Sequence, residues 1–142
     1  MVKLKILLVE DNAVDALLLR EAMQDQDFIS KIYHVPDGAK AISFLKKEVP
    51  YEDAEEPHLI LMDINMPIMD GQEALRKIKG MDRFKHIPVI MLTTSSRKED
   101  ILKAYKGQSN SYIVKPDDIF ELDEIVNTLK NYWTKTVKLP KT

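Results

Sequence analysis

Apolar runs rich in β-branched residues recur at about 4–9, 31–35, 58–62, 87–92 and 111–115, and each reads as a strand. Between them the apolar spacing changes to three and four residues, the period of a helix. Val14, Leu17, Leu18 and Ala22 mark one face of a first helix, and Ala41, Ile42 and Leu45 mark a second. Ala74, Leu75 and Ile78 mark a third, and Ile101, Leu102 and Tyr105 a fourth. Ile119, Leu122, Val126, Leu129 and Trp133 mark the fifth. Strand and helix alternate over short connections, which predicts an α/β fold with a parallel sheet and helices on both faces. The strand runs are continuous rather than alternating, as strands buried on both sides require. In open sheets of this kind, chemistry gathers at the carboxyl ends of the strands.

Two stretches break the pattern. Tyr51-Glu52-Asp53-Ala54-Glu55-Glu56-Pro57 is an acidic loop before the third strand. From Thr134 to Thr142 a tail carries Lys135, Lys138 and Lys141 without an acid, and is expected to be mobile. The chain is therefore read as one domain over residues 1–133 with a basic tail over 134–142. A helix-turn-helix does not fit into so short a tail, so no effector domain is expected and output must go through protein contacts.

Composition narrows the function classes. With 142 residues, a single domain can hold a core without covalent staples. There is no Cys, which excludes a disulfide framework, a thiolate zinc site and a thiol nucleophile. A net charge of −2 lacks the footprint of a nucleic-acid binder. No apolar run approaches the roughly 18 residues of a membrane span, and the N-terminus has no signal-peptide core, so a cytoplasmic protein is expected.

The strand ends carry the candidate chemistry. Glu10-Asp11-Asn12 follow the first strand, Asp63-Ile64-Asn65 the third, and Thr93-Thr94-Ser95 end the fourth, while the fifth runs Tyr112-Ile113-Val114-Lys115-Pro116. Each group has an ordinary alternative. The acids and Asn12 suit a helix start, Thr93 to Ser95 could cap the next helix, and Lys115 could be a solvated charge. Together, three carboxylates, a hydroxyl and an ammonium fall on one edge of the sheet. Two carboxylates about 4 Å apart repel by roughly 4 kcal/mol at an effective dielectric of 20. A divalent cation with hard oxygen ligands, Mg2+ above all, relieves that cost. A lysine and a hydroxyl opposite the ion are what a transferring phosphoryl group needs.

Val9-Glu10-Asp11-Asn12, Leu61-Met62-Asp63-Ile64-Asn65-Met66-Pro67, Met69-Asp70-Gly71, Thr93, and Tyr112 through Pro116 resemble the receiver domains of two-component response regulators. The resemblance covers about residues 3–133. It implies the flavodoxin-like (βα)5 fold, a doubly wound sheet of five parallel strands in the order 2-1-3-4-5. It also implies that Asp63 accepts a phosphoryl group from a histidine kinase. Asp11, Asp63 and the backbone carbonyl of Asn65 would ligate Mg2+, with Glu10 acting through water. Lys115 would pair with the phosphoryl group, and Thr93 and Tyr112 would be the switch hydroxyl and switch aromatic. In the family the bond corresponding to Lys115–Pro116 is usually cis. The acidic loop, the run Phe84 to Val89 and Tyr105 before Tyr112 resemble the small stand-alone phytochrome-associated regulators. The implied partners are a sensor histidine kinase, phytochrome-type in that subgroup, or a histidine phosphotransfer protein.

On this reading phosphorylation draws the Thr93 hydroxyl inward and lets Tyr112 turn toward the core. That reshapes the face formed by the fourth helix, fifth strand and fifth helix. Exposed Tyr105, Tyr112 and tail residues on that face would suit a homodimer. Three departures from the family pattern stand out: Gln108-Ser109 in place of Gly-Ala, Asp117-Asp118 after Lys115-Pro116, and Thr94 after Thr93. A dehalogenase-type phosphohydrolase would need a second aspartate at position 65, which is Asn. A flavodoxin-type carrier or a nucleotide switch would need a phosphate loop after the first strand, and none is present. A receiver-fold module that binds partners without phosphorylation is the remaining alternative.

Overall fold

The computed structural model describes residues 3–24 and 26–140. Strands β1 (Leu4–Val9), β2 (Ile29–Val35), β3 (Leu59–Met62), β4 (Val89–Thr93) and β5 (Ser111–Val114) form one parallel sheet in the order β2-β1-β3-β4-β5. Helices α1 (Ala13–Gln24), α2 (Gly38–Leu45), α3 (Gly71–Lys79), α4 (Lys98–Lys106) and α5 (Ile119–Asn131) make the crossovers. This is the flavodoxin-like order that the motifs imply. β4 starts at Val89 rather than at Ile87 because Pro88 has no N–H to give the ladder. Its carbonyl still accepts from the Ile60 N–H at 3.0 Å.

The continuous apolar runs follow from burial on both faces. Leu7, Val9, Ile60, Met62, Val89 and Met91 join α2, α3 and Ala104 in one buried cluster. The residues between them, Ile6, Leu8, Leu59, Leu61, Ile90 and Leu92, join α1 and α5 in the other. Full burial of each such side chain is worth about 1.5–3 kcal/mol. The third and fifth helices face inward as their spacing predicts, through Ala74, Leu75 and Ile78 and through Leu122, Val126 and Trp133. Ile119, expected on the same stripe, is exposed.

Two helices turn differently from expectation. α1 packs through Ala16, Leu19 and Met23, while Val14 and Leu17 are 64% and 56% exposed. The helix is apolar on two sides, so period alone cannot choose the buried one. α4 packs through Ala104, leaving Leu102 and Tyr105 exposed. Both helices therefore present apolar side chains outward.

Helix ends explain one departure from the family pattern. After α4, the Ser109 N–H bonds the Ala104 carbonyl and the Gln108 N–H bonds the Tyr105 carbonyl, both at 3.0 Å. This two-bond closure needs a left-handed residue, normally glycine, and Gln108 takes it with φ 73°. Lys47 does the same after α2 with φ 57°.

The acidic loop is tied down. Tyr51 packs against Phe44 at 5.4 Å between ring centres, Glu55 pairs with Lys5 at 2.7 Å, and the Tyr33 hydroxyl accepts from the Glu55 N–H at 3.1 Å. Beyond α5 the chain forms a π-helical turn, Tyr132–Thr136, that buries Trp133. Val137 and Leu139 pack partly against the α1–α5 cluster, so the stretch read as a mobile tail has contacts as far as Leu139. Lys141 and Thr142 lie outside the described residues.

Candidate functional site

β1 delivers Glu10 to the carboxyl edge of the sheet and buries it to 1% exposure. Its backbone is held on both sides: its N–H donates to the Val35 carbonyl at 3.0 Å, and the His34 Nε2–H donates to its carbonyl at 2.8 Å. The Asn12 N–H donates to Glu10 Oε2 at 3.2 Å. Asn12 in turn caps α1, its Oδ1 accepting from the Asp15 N–H at 3.0 Å. Asp11, between them, is exposed.

β3 delivers Asp63, which is also buried. Its N–H donates to the Val9 carbonyl at 3.0 Å, which ties it to β1. Its Oδ1 accepts from the Ile64 N–H at 2.7 Å, while Oδ2 faces Lys115. The backbone behind it has no room to spare. A Cβ on Gly71 would overlap the Asp63 carbonyl, so only glycine fits where α3 begins. The loop that brings the chain there turns sharply at Ile68, where the Met69 N–H reaches the Pro67 carbonyl at 2.7 Å and φ is 69°. This is a γ-turn with a β-branched residue at its centre, a strained choice. Asn65 stands exposed between Asp63 and that turn.

β4 ends in Thr93, fully buried, whose Oγ1 is approached by the Ser95 N–H at 3.5 Å. The Lys115 N–H donates to the Thr93 carbonyl at 2.7 Å, which places the lysine at the same edge. Its ammonium pairs with Glu10, with Asp15 Oδ2 at 3.0 Å and with Asp63 Oδ2 at 3.4 Å. Tyr112 is half-buried against the α2–α3 core, and its hydroxyl donates to the Ser95 carbonyl at 2.9 Å. The ring is thus already turned inward. Asp118 caps α5 by accepting from the Phe120 N–H at 2.8 Å, a place where the helix dipole favours an acid. Lys115–Pro116 is trans rather than cis, the cis bond among the described residues being Val49–Pro50. Trans is the default, favoured by about 0.5–1 kcal/mol for a bond to proline.

The electrostatics are those of crowded carboxylates. Burial, then the charge of Asp63, pushes the Glu10 carboxyl up to about 7 against the pull of Lys115 and the Asn12 N–H. Burial alone would lower Lys115, but hydrogen bonds to Glu10 and Asp15 and the charge of Asp63 outweigh it and leave the ammonium raised. Glu10, Asp11 and Asp63 each place a carboxylate oxygen within 4.8 Å of the others. Hard anionic oxygens that close, two of them on buried side chains, fit an Mg2+- or Mn2+-sized cation.

The structure thus brings together Glu10, Asp11, Asp63 and Lys115, and sets Thr93 and Tyr112 beside them on β4 and β5. Sequence reasoning missed two partners. Asp15 could have been suspected as an acid in the first turn of the helix that follows Glu10 and Asp11. His34 gave no signal, because its role depends on the β1–β2 register, which pairs it with Leu8.

Comparison with known proteins places the arrangement in a class. The response regulator receiver domain matches residues 6–127, and the chain belongs to that family, the receivers of two-component signalling. Response regulator Rcp1 from Synechocystis is 36% identical over 135 residues, spanning 95% of this chain and 92% of that relative. The crystal structure of the phosphorylated cyanobacterial phytochrome response regulator RcpA is 38% identical, with a TM-score of 0.92 over 98% of this chain and 99% of that one. The Mn(2+)-bound form of Rcp1 is 36% identical, with a TM-score of 0.89 over 97% and 99% of the two chains. The chain is thus similar to phytochrome-associated regulators over nearly their whole length. Among the described residues no helix is long and apolar enough to cross a membrane.

Proposed function

We propose that the protein accepts a phosphoryl group on Asp63 from a phosphohistidine and uses the modification to change a protein-binding face. The observation that carries this reading is the meeting of Glu10, Asp11, Asp63 and Lys115 at the ends of β1, β3 and β5. Asp63 Oδ1 is held by the Ile64 N–H, which leaves Oδ2, facing Lys115, as the nucleophile. That oxygen forms a bond to phosphorus as the phosphorus–nitrogen bond to histidine breaks, leaving an acyl phosphate on Asp63 and a free imidazole. Lys115 donates to the phosphoryl oxygens, and Thr93 lies on the neighbouring strand to hydrogen-bond them.

Asp11, Asp63 and the Asn65 carbonyl would hold Mg2+, with Glu10 behind them. The ion, when bound, neutralises charge on the transferred group. That the related Rcp1 has an Mn(2+)-bound form supports a divalent ion in this protein. Hydrolysis of the acyl phosphate resets the protein, which catalyses only its own modification and its reversal.

The partner is a sensor histidine kinase, phytochrome-type by analogy with RcpA, or a phosphotransfer protein. Exposed Val14 and Leu17 on α1 offer it an apolar surface beside Asp15 and the site. Output runs through α4, β5 and α5. There Leu102 and Tyr105 stand exposed, and a cavity of about 710 Å³ lies between β5 and α5. A second copy or a target protein would bind this face, in a cytoplasmic setting and without direct contact to nucleic acid.

Beryllofluoride, which mimics the phosphoryl group, tests the reading without a kinase. With Mg2+, and at about 100 times its dissociation constant, it should stabilise the protein by about 2.7 kcal/mol. The effect should be absent from Asp63→Asn. A wild-type melting temperature that does not move over millimolar beryllofluoride would favour the phosphorylation-independent binding module.

A further inference from the structure

The lysine of the site is shared three ways. Its ammonium has three N–H donors and meets Glu10, Asp15 Oδ2 at 3.0 Å and Asp63 Oδ2 at 3.4 Å. Asp15 thus lies nearer the ammonium than the acceptor aspartate does. It is not one of the three acids whose oxygens converge for a cation. An acid in a first helical turn ordinarily complements the helix dipole and points to water. This one is aimed across the site. Its backbone is fixed by the Asn12 cap, and only 34% of its side chain is exposed. Asp15 and Lys115 also share the wall of a small open cavity of about 40 Å³, lined as well by Leu18, Leu19, Pro116 and Leu122. The contact therefore joins α1 to the turn between β5 and α5 through a packed neighbourhood.

A phosphoryl group on Asp63 needs the same donors. Each N–H that turns to a phosphoryl oxygen has to leave a carboxylate, and Asp15 adds its own negative charge close to the incoming anion. Both effects have one sign: they oppose phosphoryl binding.

We propose that Asp15 is a positioning residue that holds Lys115 on the α1 side of the site in competition with Asp63, and so limits how firmly the site retains a phosphoryl group. The proposal rests on Asp63 being the acceptor. Asp15 differs from Glu10 and Asp11 in acting through the lysine, which gives it a distinct signature.

The test is a titration of the full chain with beryllofluoride at saturating Mg2+, read by fluorine NMR, for the wild type and for Asp15→Asn, Asp15→Glu, Lys115→Ala and the Asp15→Asn/Lys115→Ala pair. A half-exposed ion pair released from competition should tighten beryllofluoride binding to Asp15→Asn about three- to five-fold. Asp15→Glu, which keeps the charge, should stay near the wild type and guards against a folding defect in Asp15→Asn. In the Lys115→Ala background the gain from Asp15→Asn should shrink to well under half, because only the direct charge effect remains. Unchanged or weaker binding to a folded Asp15→Asn overturns the proposal. So does an equal gain with and without Lys115, since Asp15 would then act as a bare charge. A fall in Mg2+ affinity of Asp15→Asn without beryllofluoride would make Asp15 a metal ligand and also overturn it. Failure of the wild type to bind beryllofluoride would instead strike the acceptor reading itself.

Discussion

Replacing Lys115 by Met keeps the apolar stem and removes the ammonium, leaving Glu10, Asp15 and Asp63 facing one another. Glu10 and Asp63 are 1% and 8% exposed, so water screens them poorly. Removing one member of a buried charge pair costs about 3–5 kcal/mol when the remaining charge cannot escape. Here it can. Burial already lifts Glu10 to about 7, and without the lysine its carboxyl moves higher and takes a proton. An acid raised in the folded state contributes stability that is complete below its unfolded value, 4.5, and is lost as pH rises through the folded value. The gap between Lys115→Met and wild type should therefore widen with pH, to about 3 kcal/mol at pH 8 and to about 1 kcal/mol or less at pH 5. Urea unfolding followed by Trp133 fluorescence at both pH values measures it. Mg2+ at pH 8 should restore part of the loss, because it binds only the folded acids. A gap of the same size at pH 5 and pH 8 would show that the lysine stem, not its charge, supports the site.

The same carboxyl sets metal affinity: a proton must leave Glu10, so apparent Mg2+ affinity should fall about tenfold per pH unit below 7, as titration calorimetry would read. Flat affinity between pH 5.5 and 7 would remove Glu10 from the metal's surroundings. Ile68→Gly should stabilise the fold by about 1 kcal/mol, because glycine takes the φ of 69° without strain. A loss of stability in urea would mean that the isoleucine side chain makes a contact its 82% exposure does not suggest. Trp133→Ala should cost about 3–5 kcal/mol and free Val137 and Leu139 for rapid amide exchange. A loss under 1 kcal/mol would show that the turn after α5 is not part of the core.

What was legible in the sequence was whatever repeats or clusters. β1, β3 and β4 stood out because burial on both faces made them continuous apolar runs, and Glu10, Asp11, Asp63, Thr93 and Lys115 stood out because strand ends collect at one edge. The face of α1 was not legible. Val14, Leu17 and Leu18 fit the helical period as well as Ala16, Leu19 and Met23 do, and only contact with the sheet distinguishes them. α4 misled for a related reason, since its core contact is a single alanine. Gln108 and Ile68 carry positive φ where residue type argues against it, so local preference gave no warning. His34 and Asp15 reach the site only through tertiary pairing. Side-chain roles set by register or by a helix's rotation lie beyond what period and spacing encode.

Everything proposed for this site turns on phosphoryl transfer to Asp63. Intact mass after incubation with acetyl phosphate and Mg2+, beside an Asp63→Asn control and a sample in chelator, tests it directly. The mass should gain one phosphoryl unit, which needs both Asp63 and Mg2+ and disappears with time as the acyl phosphate hydrolyses. A gain of the same size in Asp63→Asn would contradict it, as would a purified cognate kinase, autophosphorylated and mixed in excess, that leaves the wild-type mass unchanged.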